Sequence, residues 1–404
     1  MSSADNDKLA SSLESLAATL TDAAKDLRGG TAASPEKHGR LLESLKGVLV
    51  MLHGPREDLM ESLAGFCQIA IIRLFIKWKV FEEIPAEGTI HYRELAAAVG
   101  ADTSLINRLC WVLVATGVLR QDGPDRVAHT KKSQAYTSIA PLKAQLQMGF
   151  DEYFPPILAM PRYFDAYGLK EPAGKLHSIK AFAEGEPEFT VSELMNRHPE
   201  RMSTMLLALS AMEKMYPHSG LYDFSWVAAR AGDSPTDRPL IVDVGGGNGH
   251  TLRAICKDTP GLPLSRCVLQ DLPEIIEVAK KTADKEVLSA QLIGMDFFKE
   301  QPVKGALIYH CRWCLHDYSD DECLVILKHQ ADAMAPDSKL LIGEIVISNP
   351  PSQSAAVMDM LLGTIGGKER TIEGFHDLAG RAGLKITSVH SGPRDMTIME
   401  CVKL

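Results

Sequence analysis

Basic runs are missing from this 404-residue chain: no stretch of Lys and Arg exceeds a pair, Lys131-Lys132 or Lys280-Lys281. With a net charge of −9 and a pI near 5.8, such a surface repels phosphate backbones and anionic lipid. Nucleic acid and membrane are therefore set aside as partners. The N-terminus, Met-Ser-Ser-Ala-Asp-Asn-Asp, lacks a basic region followed by an apolar core, so no secretory signal is expected. The longest apolar stretch, Cys67 to Trp78, is broken by Arg73 and Lys77 and is expected to be too short to span a bilayer. A cytosolic protein is the expectation. Cysteine is also sparse: the eight residues are scattered, and the C-x-x-C at Cys311 and Cys314 has no second pair to complete a zinc site. Buried free thiols and no bound metal follow.

What is present is an ordinary globular composition, 45% apolar and 24% charged, on a chain too long for one compact core. Residues 8–27 carry apolar side chains at helical spacing (Leu9, Leu13, Leu16, Leu20, Ala24), and Gly29-Gly30 with the Thr-Ala-Ala-Ser-Pro that follows stops that helix and forms a linker. The boundaries expected are an N-terminal helix and linker over 1–36 and a helical, winged-helix module over 37–140. A helical region follows over 141–235, and an α/β domain over 236–404.

The winged-helix reading rests on a buried helix from Ala64 to Trp78, then Ile90 to Gly100, Leu105 to Leu113, and a polar turn at Gln121 to Asp125. Such a module invites a DNA-binding role, but the candidate reading helix, Thr103 to Ala115, offers only Arg108 and Asn107 for bases and phosphates. A dimerisation or substrate-capping module fits better. Residues 141–235 are rich in Phe, Tyr and Met, including Met148 and Phe150. They lie between two candidate domains, where pockets form.

From residue 239 strands and helices alternate. Candidate strands are Pro239–Val244, Arg266–Gln270, Ser289–Ile293, Gly305–His310, Lys339–Ile347, Leu384–Ser391 and Met396–Val402. Only Gly392-Pro393-Arg394-Asp395 separates the last two, so an antiparallel hairpin is expected on an otherwise parallel sheet. The pattern predicts a doubly wound, Rossmann-like α/β domain of seven strands.

The first of these strands runs into Asp243-Val244-Gly245-Gly246-Gly247-Asn248-Gly249, a glycine turn before a helix. Such a turn lets backbone approach a ligand and aims amides at it. The dinucleotide pattern would need a third glycine where His250 stands. The G-x-G-x-G at Gly245, Gly247 and Gly249, with Asp243 two residues earlier, suits a ligand bearing a carboxylate and an ammonium rather than a pyrophosphate. Asp271 ends the second strand, placed to accept two ribose hydroxyls, and Asp296-Phe297 follows the third, placed for an adenine amino group and ring. Each Asp alone reads equally as a turn or cap residue; three at consecutive strand ends form a pattern.

Together with Arg312 to Asp320 (RWCLHDYSD) and Gly366 to Thr371 (GGKERT), these motifs resemble the class I S-adenosylmethionine-dependent O-methyltransferases of the caffeate and flavonoid type and their fungal secondary-metabolite counterparts. The likeness covers residues from about 60 to 404. It implies S-adenosylmethionine as cofactor, a homodimer whose N-terminal region helps form the partner's substrate pocket, and methyl transfer to a hydroxyl of a small aromatic or polyketide-like metabolite. It makes His316 the general base, flanked by Glu344 and Glu369 and supported by Asp317. It also places Arg312, where the family often has Lys, near the cofactor carboxylate. Tyr318 stands where Trp is common.

The chemistry agrees with that assignment: a histidine titrating near 6.5 can take the hydroxyl proton, and carboxylates fix its tautomer. Glu344 lies within an apolar strand, where a carboxylate needs a partner. His310, like the remaining histidines, reads as structural. Glu369 reads alternatively as a cap for a helix starting near Thr371, with Lys368 and Arg370 as solvated charges. Met148, Phe150, Trp313, Met358 and Met360 are the candidate substrate-lining residues. Two other functions compete: a pericyclase of the same fold that uses the cofactor electrostatically without methyl transfer, and a non-enzymatic winged-helix regulator. Retention of His316, Asp317, Glu344 and Glu369 favours methyl transfer over the first, and the acidic charge disfavours the second.

Overall fold

The computed structural model describes residues 3–29, 35–172, 174–213, 216–233 and 238–404. The linker expected after Gly29 lies largely outside the described residues. The chain divides into two compact units, Met1–Thr137 and Ser138–Leu404.

In the first unit, helices Ser3–Arg28 and Pro35–Leu52 pair with each other, and helix Pro55–Trp78 follows. β1 (Ile90–His91) leads into helices Tyr92–Ala98 and Thr103–Ala115, which β2 (Leu119–Asp122) and β3 (Arg126–His129) follow; the three strands form a small sheet ordered β1-β3-β2. Helix Thr103–Ala115 turns Ile106, Cys110 and Leu113 inward at spacings of four and three, so its apolar stripe is spent on the core, as expected. Helix Pro55–Trp78 departs from expectation. It begins nine residues before Ala64, and its 24 residues are long and apolar enough, by length and composition, to cross a membrane. Leu59, Met60, Leu63 and Phe66 are exposed on it.

The second unit carries the predicted seven-stranded sheet. Its strands are β4 (Ile241–Val244), β5 (Cys267–Asp271), β6 (Gln291–Gly294), β7 (Ile308–Arg312), β8 (Lys339–Ile345), β9 (Leu384–Ser391) and β10 (Met396–Lys403), in the order β6-β5-β4-β7-β8-β10-β9. β4 pairs in parallel with β5 on one side and β7 on the other, so the strand order reverses beside β4. A ligand crevice forms at the carboxyl ends of strands at such a reversal. The closing hairpin is present, and β10 inserts between β8 and β9, antiparallel to both. Apolar layers cover both faces. Val242, Val244, Tyr309 and Cys311 pack with Ile326, Leu327 and Phe375 on one side. Ile241, Leu269 and Ile308 pack with Leu252, Ile255 and Ile276 on the other.

Arg370 corrects the expectation of a solvated charge. It is 4% exposed. Its guanidinium donates to Asp320 Oδ1 at 2.8 Å, to the carbonyls of Leu315 at 3.1 Å and Tyr318 at 2.8 Å, and to that of Lys368 at 3.0 Å. A planar fork suits this task, and an ammonium does not. Asp320 is part-exposed, so the main cost of truncation is the carbonyls left without a donor, about 1–3 kcal/mol for a buried one such as that of Leu315. Arg370→Ala is therefore expected to lower stability in urea by about that amount, with Arg370→Lys recovering little of it; a loss below 1 kcal/mol (~) would show that the loop around residue 316 is held without this fork.

Candidate active site

The glycine turn forms because β4 ends in a tight passage over other side chains. Gly245 has φ +72°, and a Cβ there would lie 2.6 Å from Cys314 Sγ; a Cβ on Gly246 would lie 2.5 Å from Asp243 Oδ2. Side chains are excluded at both positions by contact, and at Gly245 by backbone strain as well. The amide of Gly247 donates to Asp271 Oδ2 at 2.9 Å, tying the turn to the end of β5.

Two cavities flank Gly245. The larger, about 280 Å³, is lined by Gly245, Asp271, Met295, Asp296, Phe297, Trp313, Asp317 and Tyr318, together with Lys175. The smaller, about 190 Å³, is lined by Asp243, Gly245, Gly247, His218, His250, Thr251, Arg312 and Trp313. Asp243, Gly245, Gly247, Asp271, Asp296, Phe297 and Arg312, the residues read from sequence as cofactor-binding, each line one or both.

The two cavities differ in chemistry. In the larger, Phe297 and Phe298 meet Tyr318 edge to face, with centroids 5.8 and 5.1 Å away, and Lys175 Nζ sits 4.3 Å from the Phe298 centroid. Burial raises the Asp271 carboxyl against the amides that stabilise its charge. Aromatic faces beside carboxylates suit a nucleoside. In the smaller cavity an Arg stands near an Asp. The Arg312 guanidinium lies over the Trp313 ring at 4.2 Å, and His218 Nδ1 meets Thr251 Oγ1 at 2.9 Å. Asp243 is 2% exposed, and its Oδ2 has no hydrogen-bond partner among the described residues. An orphan buried carboxylate oxygen is costly unless a ligand satisfies it. A zwitterionic amino-acid end attached to adenosine therefore fits the two cavities.

Beyond Trp313, which holds φ +53° at the end of β7, the chain makes a short turn, Leu315–Asp317, that presents His316. Glu344 of β8 is fully buried and holds that turn. Its Oε1 accepts the amides of Cys314 at 3.0 Å and Leu315 at 2.7 Å, and its Oε2 accepts His316 Nδ1–H at 2.9 Å. The ring is thereby set with Nε2 as its remaining nitrogen, 3.5 Å from Asp317 Oδ1. Glu369 is 4% exposed, and its Oε2 has no partner among the described residues. The cap at the following helix is instead Thr371, whose hydroxyl accepts from Gly374 N at 3.2 Å.

His316, Glu344 and Glu369, placed together by the resemblance, bring one ligand-type atom each to within 4.8 Å of one another. Hydrogen bonds already engage both oxygens of Glu344. With that carboxylate so committed, the arrangement suits proton transfer better than metal binding.

Its electrostatics differ from the expectation of a ring titrating near 6.5. Burial pushes the imidazole down, but the charges of Glu344 and Asp317, the hydrogen bond to Glu344 and the charge of Glu369 outweigh it, lifting His316 to about 10. Burial, opposed by His316 and reinforced by Glu344 and Asp359, lifts Glu369 to about 7. Both groups bind protons more tightly folded than unfolded, so both make stability fall as pH rises. The His316 contribution is full below about 6.5 and is lost as pH approaches 10; the Glu369 penalty grows between about 4.5 and 7. Glu369→Gln is expected to flatten the fall in unfolding free energy between pH 5 and 8. An unchanged slope in the variant would mean that this carboxyl is not neutral when buried.

The substrate-lining set is only partly assembled. Trp313 stands between the two cavities and meets Tyr216 edge to face at 5.0 Å. Met148 instead packs with Ala144 and Ala208 in a small helical core. Phe150 meets Phe154 at a tilt, with centroids 5.8 Å apart. Met358 is half-buried and Met360 is exposed on helix Gln353–Gly363, whose Asp359 accepts the Glu369 amide at 2.8 Å. Neither Met148, Phe150, Met358 nor Met360 lines the two cavities. The reason is the helical period: an aromatic and Met-rich helix looks the same in sequence whether its stripe faces a core or a pocket.

Lys175 and His218 line the two cavities and were not singled out from the sequence, since neither carries a local pattern that marks it.

Comparison with known proteins gives two family matches: an O-methyltransferase domain over residues 210–385 and an O-methyltransferase dimerisation domain over residues 60–138. The methyltransferase cfoD of Aspergillus candidus is 37% identical over 357 residues, covering 86% of this chain and 88% of that protein. The solved structure of OxaC superposes with a TM-score of 0.82 at 25% identity, covering 99% of this chain and 100% of that one; it has also been solved with S-adenosylhomocysteine and oxaline. A structure described as a pericyclic reaction enzyme shares the fold, with a TM-score of 0.78 at 20% identity over 97% of this chain and 100% of that one.

Proposed function

The chain belongs to the O-methyltransferase family and is a S-adenosylmethionine-dependent enzyme, and from that premise we propose that it methylates a hydroxyl of a small aromatic or polyketide-like metabolite with His316 as general base. The observation that carries this reading is the His316 ring held by Glu344 at 2.9 Å, one residue from Asp317 on the wall of the larger cavity.

S-adenosylmethionine, when bound, supplies a methyl carbon on a sulfonium. The larger cavity is assigned to its adenosine, with Asp271 toward the ribose and Asp296 and Phe297 toward the adenine; the smaller, with Asp243 and Arg312, takes its amino-acid end. The protein's own part is proton handling. The Glu344 carboxylate fixes Nδ1–H, leaving Nε2 to accept the hydroxyl proton as the substrate oxygen becomes nucleophilic. The resulting imidazolium is stabilised by three carboxylates, Glu344, Asp317 and Glu369. Trp313 is assigned to the substrate side. Met60, Leu63 and Phe66, exposed on helix Pro55–Trp78 and within the dimerisation-domain match, are assigned to a homodimer interface.

Incubation with S-adenosylmethionine and a panel of phenols tests the proposal by mass spectrometry: the expected product gains one CH2. A second reading draws on the high proton affinity of His316: a ring already charged at neutral pH is a hydrogen-bond donor, which suits pericyclic catalysis with the cofactor as a fixed electrostatic element. Rearranged substrate of unchanged mass, formed only when cofactor is present, would favour that reading and sink methyl transfer.

A further inference from the structure

His310 is a buried polar group that the proposed chemistry does not use. It lies on β7, where Ile308, His310 and Arg312 alternate onto one face of the sheet. Ile308 joins the apolar layer with Ile241 and Leu269. Two residues further along, at 1% exposure, an apolar side chain would be the ordinary occupant. A ring with two polar nitrogens is costly there unless it holds something.

What it holds is Asp243. The two residues are register partners on adjacent parallel strands, so their side chains emerge side by side on the same face. His310 Nδ1 meets Asp243 Oδ1 at 2.9 Å. That contact occupies one oxygen and leaves Oδ2 unpartnered among the described residues, under Gly246, in a side chain that lines the smaller cavity. A carboxylate fastened at one oxygen cannot turn about its last torsion, so the other is presented in a fixed direction. Arg312, on the same face of β7, supplies the opposite charge to the same cavity. The wall therefore carries one fixed acceptor and one cation, a match for an ammonium and a carboxylate on a single carbon.

We propose that His310 is a positioning residue for cofactor recognition: it locks the Asp243 carboxylate so that Oδ2 receives the α-ammonium of the adenosyl amino acid. This rests on the placement of the cofactor's amino-acid end in the smaller cavity. The ring itself touches no ligand. Its effect is selectivity for the complete amino-acid cofactor over the same nucleoside without that end.

The test is calorimetric binding of two probes, S-adenosylhomocysteine and 5′-methylthioadenosine, which share the nucleoside and thioether and differ in the amino acid. His310→Phe is expected to weaken S-adenosylhomocysteine about tenfold to a hundredfold, as expected for a weakened hydrogen bond to a charged group, and to leave methylthioadenosine binding unchanged. His310→Leu serves where the larger ring does not fold. His310→Asn, whose amide nitrogen stands near the position of Nδ1, is expected to restore most of the loss. Equal weakening of both probes would mean a merely structural residue and overturn the proposal, as would no weakening of either. Asp243→Asn separates the two layers. If it binds both probes like the native protein, the ammonium placement is wrong; if it loses S-adenosylhomocysteine selectively while His310→Phe does not, only the role of His310 is wrong.

Discussion

His316→Ala is expected to lower kcat/KM for methyl transfer by about a thousandfold, the middle of the range for a lost general base, while cofactor affinity is unchanged. The two effects separate because the residues assigned to the cofactor lie on β4 and the turn after it and near the ends of β5, β6 and β7, whereas His316 lines neither of the cofactor's two cavities and is fastened to β8. The dependence on pH makes the assignment sharper. Since His316 is raised to about 10, the native enzyme is expected to gain kcat/KM with rising pH above 7, rather than level off near the ordinary imidazole value. The residual activity of His316→Ala should lose that rise. Normal turnover in the variant would remove His316 from the chemistry without touching the fold, and a native profile flat above pH 7 would show that another group takes the proton.

Glu344→Gln is expected to be nearly as damaging to turnover, and for a different reason. The amide oxygen can still accept the buried Cys314 and Leu315 amides, but its NH2 then faces His316 Nδ1, where the carboxylate accepted a hydrogen bond. The ring must present a lone pair at Nδ1 and place its proton on Nε2, leaving no acceptor for the substrate. Loss of the orienting acid in a base–acid pair of this kind costs about 10⁴ in kcat while geometry is kept. A fall of about 10³–10⁴ in kcat is the expected result, together with a lower melting temperature at neutral pH, since the Glu344 charge is what chiefly holds the His316 proton in the folded state. The proton affinity of His316 should drop as well, since Glu344 is the largest of the charges raising it. Glu344→Ala is a separate case: it strands two buried N–H groups and an uncompensated imidazolium, and about 3–5 kcal/mol of stability should go with it. Full activity in Glu344→Gln would reduce this carboxylate to a structural clasp.

The elements of the candidate site were legible to different degrees, and each difference has a cause. Asp243, Gly245, Gly247, Asp271, Asp296 and Phe297 could be read because a parallel sheet brings consecutive strand ends to one edge, so a pattern linear in sequence stays linear in space. Glu344 could be singled out because a charge in a continuous apolar strand has no explanation short of a partner. The alternative reading of Arg370 as a solvated charge fails because its partners, Asp320 and the carbonyls of Leu315 and Tyr318, lie about fifty residues away and assemble only when the two segments meet. Met148 went to a helical core for want of any sequence signal separating core stripes from pocket stripes. His310 was read as structural, and its pairing with Asp243 could not be seen from the sequence because the two sit sixty-seven residues apart and meet only across adjacent strands.

By itself, then, the chain's residue order determined the seven strands, the glycine turn and the strand-end carboxylates, since hydrophobic period and turn chemistry act over a few neighbouring residues. Tertiary structure alone decided the state of the acid–base cluster. Proton affinity depends on burial and on charges within a few ångströms, and those distances exist only after β7, β8 and the segment bearing Glu369 have come together.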